Sequence, residues 1–284
     1  MPTDKIFVCG AVRNCEKHLD AVFHNIKRII EIFKDFRIIM AFDRSDDKTL
    51  LKLVQYKHEY GEKMDIILNR NPLSHIRTVN ISNSRNSIIH NIRDKLNSGF
   101  NIAEWKYFIM MDMDDVCSNY MDLEVITRAL IKSDKWDSVS FNRTDYYDLW
   151  ALSIDSFVYS CWGWHNPTEV VEIMRKYIVD KLDQTSLDDY LECQSAFNGF
   201  AIYKTEKFID CDYDWRMPKK YMRLEDIQEN RRILGNRDSF SPLCTQTDEP
   251  DCEHRAFHMM ATAKNGARIR ITPEKLFYPE YIFY

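Results

Sequence analysis

Glycine is scarce in this 284-residue chain, with seven in all, at positions 10, 61, 99, 163, 199, 235 and 266. That is about a third of the usual share of roughly 7%. No two lie within five residues of each other. Walker-type and dinucleotide-binding loops need closely spaced glycines to bring backbone N–H groups against phosphate, so both are excluded. A nucleotide diphosphate bound here needs another source of positive charge. Cysteine is also sparse, with eight at positions 9, 15, 117, 161, 193, 211, 244 and 252 and no C-x-x-C pair. A disulfide scaffold and the strongest zinc and redox signatures are therefore absent. The longest apolar runs, such as Ile6 to Val12 and Tyr107 to Met111, fall far short of the roughly 18–20 residues that span a bilayer. The opening MPTDKIFVCG has no basic stretch leading into an apolar signal core. Nor is there a basic excess: 39 Lys and Arg face 44 Asp and Glu, for a net charge of -5. No global field recommends a nucleic-acid binder. These absences predict a soluble, cytoplasmic protein without an integral membrane segment.

What is present is a chain that is 45% apolar, near the roughly 250–300-residue ceiling for one hydrophobic core. Its first half alternates short apolar runs with helical patterns, the mark of βαβ units on a mostly parallel central sheet flanked by helices. Strands are predicted at Ile6 to Cys9, Arg37 to Phe42, Met64 to Leu68 and Trp105 to Asp112. Helical spacing covers Leu19 to Phe33, Leu50 to Tyr60 and Val79 to Leu96. Later, helices are expected at Met121 to Ile131, Pro167 to Leu182 and His254 to Lys264, with strands at Ser138 to Asn142 and Gly199 to Lys204. No linker or repeat divides the chain. A single domain over 1–284 is expected, its halves 1–118 and 119–284.

The strongest local signal is FIMMDMDDV, an apolar strand ending in Asp112, Asp114 and Asp115. Residues 112 and 114 fall on one side of a strand at the carboxyl end of a parallel sheet, where such sheets bind ligands. Two carboxylates there suit Mn²⁺ or Mg²⁺, either of which bridges diphosphate oxygens. The alternative reading is a helix cap with an acidic first turn. His254 and His258 are i,i+4 neighbours on a predicted helix, so His258 could complete a metal site. With Cys244 and Cys252 the two histidines also form C-x₇-C-x-H-x₃-H, a spacing that fits no common zinc finger. Glu253, or else His254, could act as general base, as could the second acidic pair, Glu225-Asp226. Tyr146, Tyr147, Asp148 and Trp150 combine aromatic faces with one acid, which suits sugar binding as well as core packing. Cys161 to His165 could form an acceptor loop.

Taken together these segments resemble glycosyltransferases of the A-type (GT-A) fold. Asp112-Met113-Asp114 resembles their D-x-D motif, Ser45-Asp46-Asp47-Lys48-Thr49 their S-x-D-x-T turn, and Ser84-Arg85-Asn86 their A-R-N helix. SAFNGFAIYK, Ser195 to Lys204, resembles the acceptor-side segment, and CEHRAFHMMATAKNGARIRITP the x-E-D helix with its glycine turn and closing strand. Within that fold, YYDLWAL and Cys252-Glu253-His254 are most similar to the fungal capsule-associated α-1,3-mannosyltransferase group and its relatives in large DNA viruses. Ser153 stands where that group has Arg, and His254 replaces the second acid of x-E-D.

The resemblance implies a metal-dependent enzyme that moves a hexose from a UDP- or GDP-sugar to a hydroxyl on a glycan or glycoprotein. It implies a donor pocket at Cys9, Gly10, Ala11 and Arg13, with Asp43 and Ser45 near base or ribose, Arg85 near phosphate or the aspartates, and Asp112 toward ribose or metal. Arg77 is a second candidate for phosphate. Asp148, Glu253 and His254 are the catalytic candidates. Retention or inversion, and a monomer or homodimer, stay open. Two other classes compete: a metal-dependent nucleotidyl or phosphoryl transferase, and a non-catalytic carbohydrate-binding protein.

Overall fold

The structure, a computed structural model, describes residues 4–69, 72–155, 157–161, 167–233 and 250–278. The first half runs β1 (Lys5–Val12), α1 (Leu19–Ile30), β2 (Asp35–Phe42), α2 (Thr49–Tyr60), β3 (Met64–Leu68), α3 (Arg77–Asn97) and β4 (Tyr107–Asp112). There follow β5 (Tyr120–Met121), α4 (Leu123–Ile131), β6 (Ser138–Asn142), α5 (Pro167–Gln184), β7 (Leu191–Cys193) and β8 (Phe200–Lys204). The last elements are α6 (Thr205–Phe208), α7 (Leu224–Ile233), α8 (Glu253–Asn265), β9 (Ile269–Lys275) and β10 (Phe277–Tyr278).

Eight strands form one sheet in the order β3-β2-β1-β4-β8-β6-β9-β7. Strands β1 to β4 are parallel, and only β8 and β7 run against the rest. This is the mostly parallel, helix-flanked α/β sheet expected from the sequence. Tyr107 to Met111 of β4 and Phe200 to Tyr203 of β8 are unbroken apolar runs because both faces of the sheet are covered there. Ile6 and Val8 of β1 pack with Ile109 and Met111 of β4 against Val22, Phe23 and Ile26 of α1. On the other face Phe7, Cys9, Phe108 and Met110 meet Ile88, Ile89 and Ile92 of α3 and Phe257 of α8. A third cluster joins Val170, Met174 and Ile178 of α5 to Leu152, Ile154 and Phe157.

Local chemistry moves some boundaries. β1 continues past Cys9 to Val12 because β2 and β4 pair with it on both sides. α4 starts at Leu123 rather than Met121. The Asp122 carboxylate caps it by accepting from the Glu124 amide at 2.9 Å, and Met121 is paired with Phe277. α1 ends at Ile30, short of Phe33. Among the described residues no helix is long and apolar enough to cross a membrane.

The parallel register brings Ala11 level with both Ala41 and Asp112. The carboxyl ends of β1, β2 and β4 thus form one rim, and the acidic motif sits on it.

Candidate functional site

Two loops on this rim are laced together. Ser45 Oγ accepts the Asn14 N–H and donates to the Asp43 carbonyl, each at 3.0 Å. Thr49 Oγ1 accepts the Cys15 N–H at 2.8 Å, and Asp47 accepts the Glu16 and Thr49 amides at 3.1 and 3.0 Å. Behind them Asp43 is buried, accepting from Asn69 Nδ2 at 2.6 Å and Ser84 Oγ at 2.9 Å. Ala11, Arg13, Cys15, Asp43 and Asn80 line a first chamber of about 170 Å³.

Asp112 forms its boundary. Its amide donates to the Gly199 carbonyl at 2.8 Å. One carboxylate oxygen accepts from Arg85 at 3.1 Å and the other from the Tyr147 hydroxyl at 2.8 Å. Gly199 has φ +86°, and a Cβ there would lie 3.0 Å from the Tyr147 hydroxyl and closer still to Val116. The turn therefore needs glycine for both conformation and space. Arg85, buried in α3, also pairs with Glu253 at the first turn of α8. Burial alone would lower the pKa of Arg85, but the Glu253 and Asp112 carboxylates outweigh it and hold the guanidinium charged.

A second chamber of about 240 Å³ lies beyond this boundary, lined by Tyr147, Asp148, Trp150, Phe197, Glu253 and His254. It shares Arg77, Ile81, Arg85, Asp112 and Asp114 with the first. Burial, reinforced by the Asp112 charge, lifts Asp114 to about 6 and Asp148 to about 7. Burial also raises Asp112, against the opposing pull of Arg85. Asp148 accepts only the Ala151 amide, at 3.2 Å, among the described residues. Arg13 and Arg77 are exposed, and neither side chain has an ion pair among the described residues. Arg77 lies over the Trp150 ring, 6.0 Å from its centroid, and both guanidiniums keep their charge beside the first chamber, where glycine loops are missing.

Several expected site residues lie elsewhere. Cys9 is buried in the core face of β1, and burial pushes its thiol up. Gly10 lines neither chamber; a Cβ there would lie 2.5 Å from Met113 Sδ, so its smallness makes room for the middle residue of the acidic motif. Ser45 is spent inside the rim loops. His258 is fully buried with both ring nitrogens bonded, Nδ1 to Ser195 Oγ at 2.9 Å and Nε2 to Tyr203 Oη at 3.0 Å. Helical spacing aligns it with His254, but core contacts leave it no nitrogen for a metal. Asp226 bonds Gln194 and Arg223 beside the β7 edge, away from Asp112. Cys244 and the Trp162 to His165 segment lie outside the described residues. In the sequence Tyr147 belongs to an aromatic cluster that suits sugar binding and core packing alike, and nothing there signals its bond to Asp112, which spans 35 positions.

Among the described residues no three His, Cys, Asp or Glu side chains converge as a metal site. Asp114 accepts the Val116 amide with one carboxylate oxygen at 3.2 Å, and the other has no hydrogen bond among the described residues. Burial first, and then the charges of Asp112 and Asp115, raise its pKa. One or two carboxylates of this kind fit Mg²⁺ or Mn²⁺ when substrate phosphate and water supply the remaining ligands.

No known protein family and no curated protein matches the sequence. Among solved structures, the chain is similar to an S. aureus TarS fragment, with 14% identity and a TM-score of 0.46 over 97% of this chain and 60% of that one. It is also similar to the mannosyltransferase PcManGT from Pyrobaculum calidifontis in complex with GDP-Man and Mn²⁺, with 11% identity and a TM-score of 0.43. There 95% of this chain and 54% of the other are covered. Glucosyl-3-phosphoglycerate synthase from Mycobacterium tuberculosis, with Mn²⁺, UDP and phosphoglyceric acid, gives 10% identity, a TM-score of 0.37 and coverages of 72% and 57%. The chain thus spans less than two thirds of each of these proteins.

Proposed function

We propose that this protein is a metal-dependent glycosyltransferase that moves a hexose from a nucleotide-diphosphate sugar to an acceptor hydroxyl. The observation that carries the reading is the pair of chambers meeting at Asp112 and Asp114, with Arg13 on one side, Arg77 shared by both and an uncommitted acid on the other. Asp43 and Ala11 border the space for the nucleoside. Arg13 and Arg77 face its diphosphate, supplying the charge that absent glycine loops cannot. Asp114, with Asp112, would hold Mn²⁺ or Mg²⁺, which when bound neutralises charge on the departing diphosphate.

On the other side Asp148 is the acid–base residue. A carboxyl near 7 is matched to taking a hydroxyl proton at neutral pH. Glu253 is committed to Arg85, which assigns it to holding that guanidinium against Asp112 rather than to proton transfer. The transfer balances as acceptor hydroxyl plus nucleotide sugar giving glycoside, nucleoside diphosphate and one proton, which Asp148 accepts and releases to solvent.

Thermal unfolding with UDP, GDP and CMP, each with and without Mn²⁺, tests the reading, because a ligand of the native state raises Tm by mass action. One diphosphate should stabilise the protein only with metal, and its hexose conjugates should then yield a glycoside. Stabilisation by none of the three, with metal or without, would overturn the proposal.

A further inference from the structure

Among the described residues three that are not glycine hold a positive φ: Asn14 at +52°, Tyr146 at +32° and Asn198 at +54°. Each stands next in sequence to a residue that lines one of the two chambers, namely Arg13, Tyr147 and Phe197. Backbone of this kind persists only where the surroundings over-determine it, and such residues gather at functional sites. Asn14 belongs to the laced rim loops. Tyr146 lies two residues before Asp148, and Asn198 is bonded to Asp148.

The Asn198 side chain is a bridge. Its Oδ1 accepts the Asp148 N–H at 3.3 Å, and its Nδ2 donates to the Phe141 carbonyl in β6 at 2.9 Å. The next residue holds the acidic motif. The Gly199 carbonyl accepts the Asp112 N–H at 2.8 Å and the Cys117 thiol at 3.2 Å, so it grips both ends of the segment that carries Asp114. A single turn, closed by the Phe200 N–H on the Phe197 carbonyl at 3.2 Å, thus has neighbouring holds on Asp112 and Asp148. The Tyr147 hydroxyl on Asp112 joins the same two segments a second time. Asn198 is 1% exposed and, like Gly199, lines neither chamber. It acts through the groups it holds. Asparagine enters left-handed backbone more readily than most side chains and carries a donor and an acceptor on one short stem. Glycine takes the conformation as readily and carries neither.

We propose that Asn198 is a positioning residue: the Asn198-Gly199 turn fixes Asp148 at a set distance from Asp112 and Asp114. The inference rests on the transferase reading, in which Asp148 takes the acceptor proton. An acid tethered by its own backbone N–H keeps its carboxylate at the second chamber while the donor side stays in place. Misplacing such a group by about 1 Å can cost about 10²-fold in rate.

Asn198→Gly in the full chain tests it, because the change keeps the turn and removes the bridge. With UDP and GDP plus Mn²⁺ as binding probes the variant should match the parent's affinity. With UDP-glucose and GDP-mannose as donors its KM should hold and its kcat should fall tenfold or more. Amide hydrogen exchange, read residue by residue by NMR, needs no turnover: the Asp148 N–H should be protected in the parent and exchange faster in the variant, with the Asp112 N–H protected in both. A parent Asp148 N–H that exchanges as freely as an exposed amide overturns the proposal, whether or not the variant folds. A kcat loss matched by an equal loss of nucleotide affinity overturns it as well, since Asn198 would then support the whole site and not Asp148. Parental kcat in the folded variant overturns this role alone. Stabilisation of the parent by no nucleotide overturns the transferase reading and this role with it.

Discussion

Arg85 and Asp112 meet 3.1 Å apart on the boundary between the two chambers, and the same guanidinium holds Glu253 from the opposite side. Residues of α3, β4 and α8 are thus tied at one buried point. Arg85→Met would leave both carboxylates without their cation. Breaking a buried pair from one side costs about 3–5 kcal/mol, so urea unfolding of this variant should show a loss of that order. Glu253→Gln in the same chain should return part of it, since the two changes share one contact. Additive losses in the double variant would mean that the two groups are not coupled.

Asp114 is raised by burial and then by the charge of Asp112, and has no salt bridge among the described residues. Asp114→Asn removes one of the crowding charges, so Tm without ligand should hold or rise. Mn²⁺-dependent stabilisation by nucleotide should vanish and turnover should drop about 10²–10³-fold, the scale for losing one preorganised electrostatic contact. Full metal-dependent binding in this variant would move the cation elsewhere.

The pH dependence follows from Asp148, raised to about 7 by burial and by the Asp112 charge. A base acts only when deprotonated, so turnover should fall about tenfold per pH unit below 7 and level off above it. Stability runs the other way. The folded carboxyl keeps its proton to higher pH than an unfolded one at its ordinary 3.8. The native state therefore binds more protons between these values, and stability from this group is lost as pH rises from about 4 to 7. Asp148→Asn should abolish turnover at every pH and gain Tm relative to the parent at pH 8 more than at pH 5. A wild-type pH–rate profile in the variant would assign the base to another group.

Much of this was legible because burial leaves a pattern. β3 and β6 were readable to the residue, although β3 is a partly buried edge strand and β6, SVSFN, alternates serine with apolar residues; β4, YFIMMD, covered on both faces, is the continuous apolar run. Asp112 and Asp114 stood out for the same reason, as acids ending such a run. β7 left no trace, being a three-residue edge strand with only partial burial. α7, LEDIQENRRI, is too polar for its face to be read. The histidines show the deeper limit: i,i+4 spacing aligns His254 with His258, but only the packed fold decides that one lines a chamber while the other is bonded to Ser195 and Tyr203.

Gly10 illustrates how a residue expected to touch the ligand can shape the site from behind. Its neighbour Ala11 is level with Asp112 in the register, and the missing Cβ is the space that Met113 occupies. Met113 is 1% exposed, so it has no solvent to retreat into, and its movement would drag Asp112 and Asp114 on either side. Gly10→Ala should therefore cost about 1–3 kcal/mol, the scale of overpacking a tight core. Because φ at Gly10 is not in the left-handed region, the cost is steric and not conformational. Shortening the partner should relieve it, so Gly10→Ala with Met113→Ala should be more stable than Gly10→Ala added to the cost of Met113→Ala by itself. Strict additivity of the two losses in denaturant unfolding would show that Gly10 serves something other than this packing. A nucleotide affinity reduced in Gly10→Ala and restored in the double variant would tie the packing to the placement of the two aspartates.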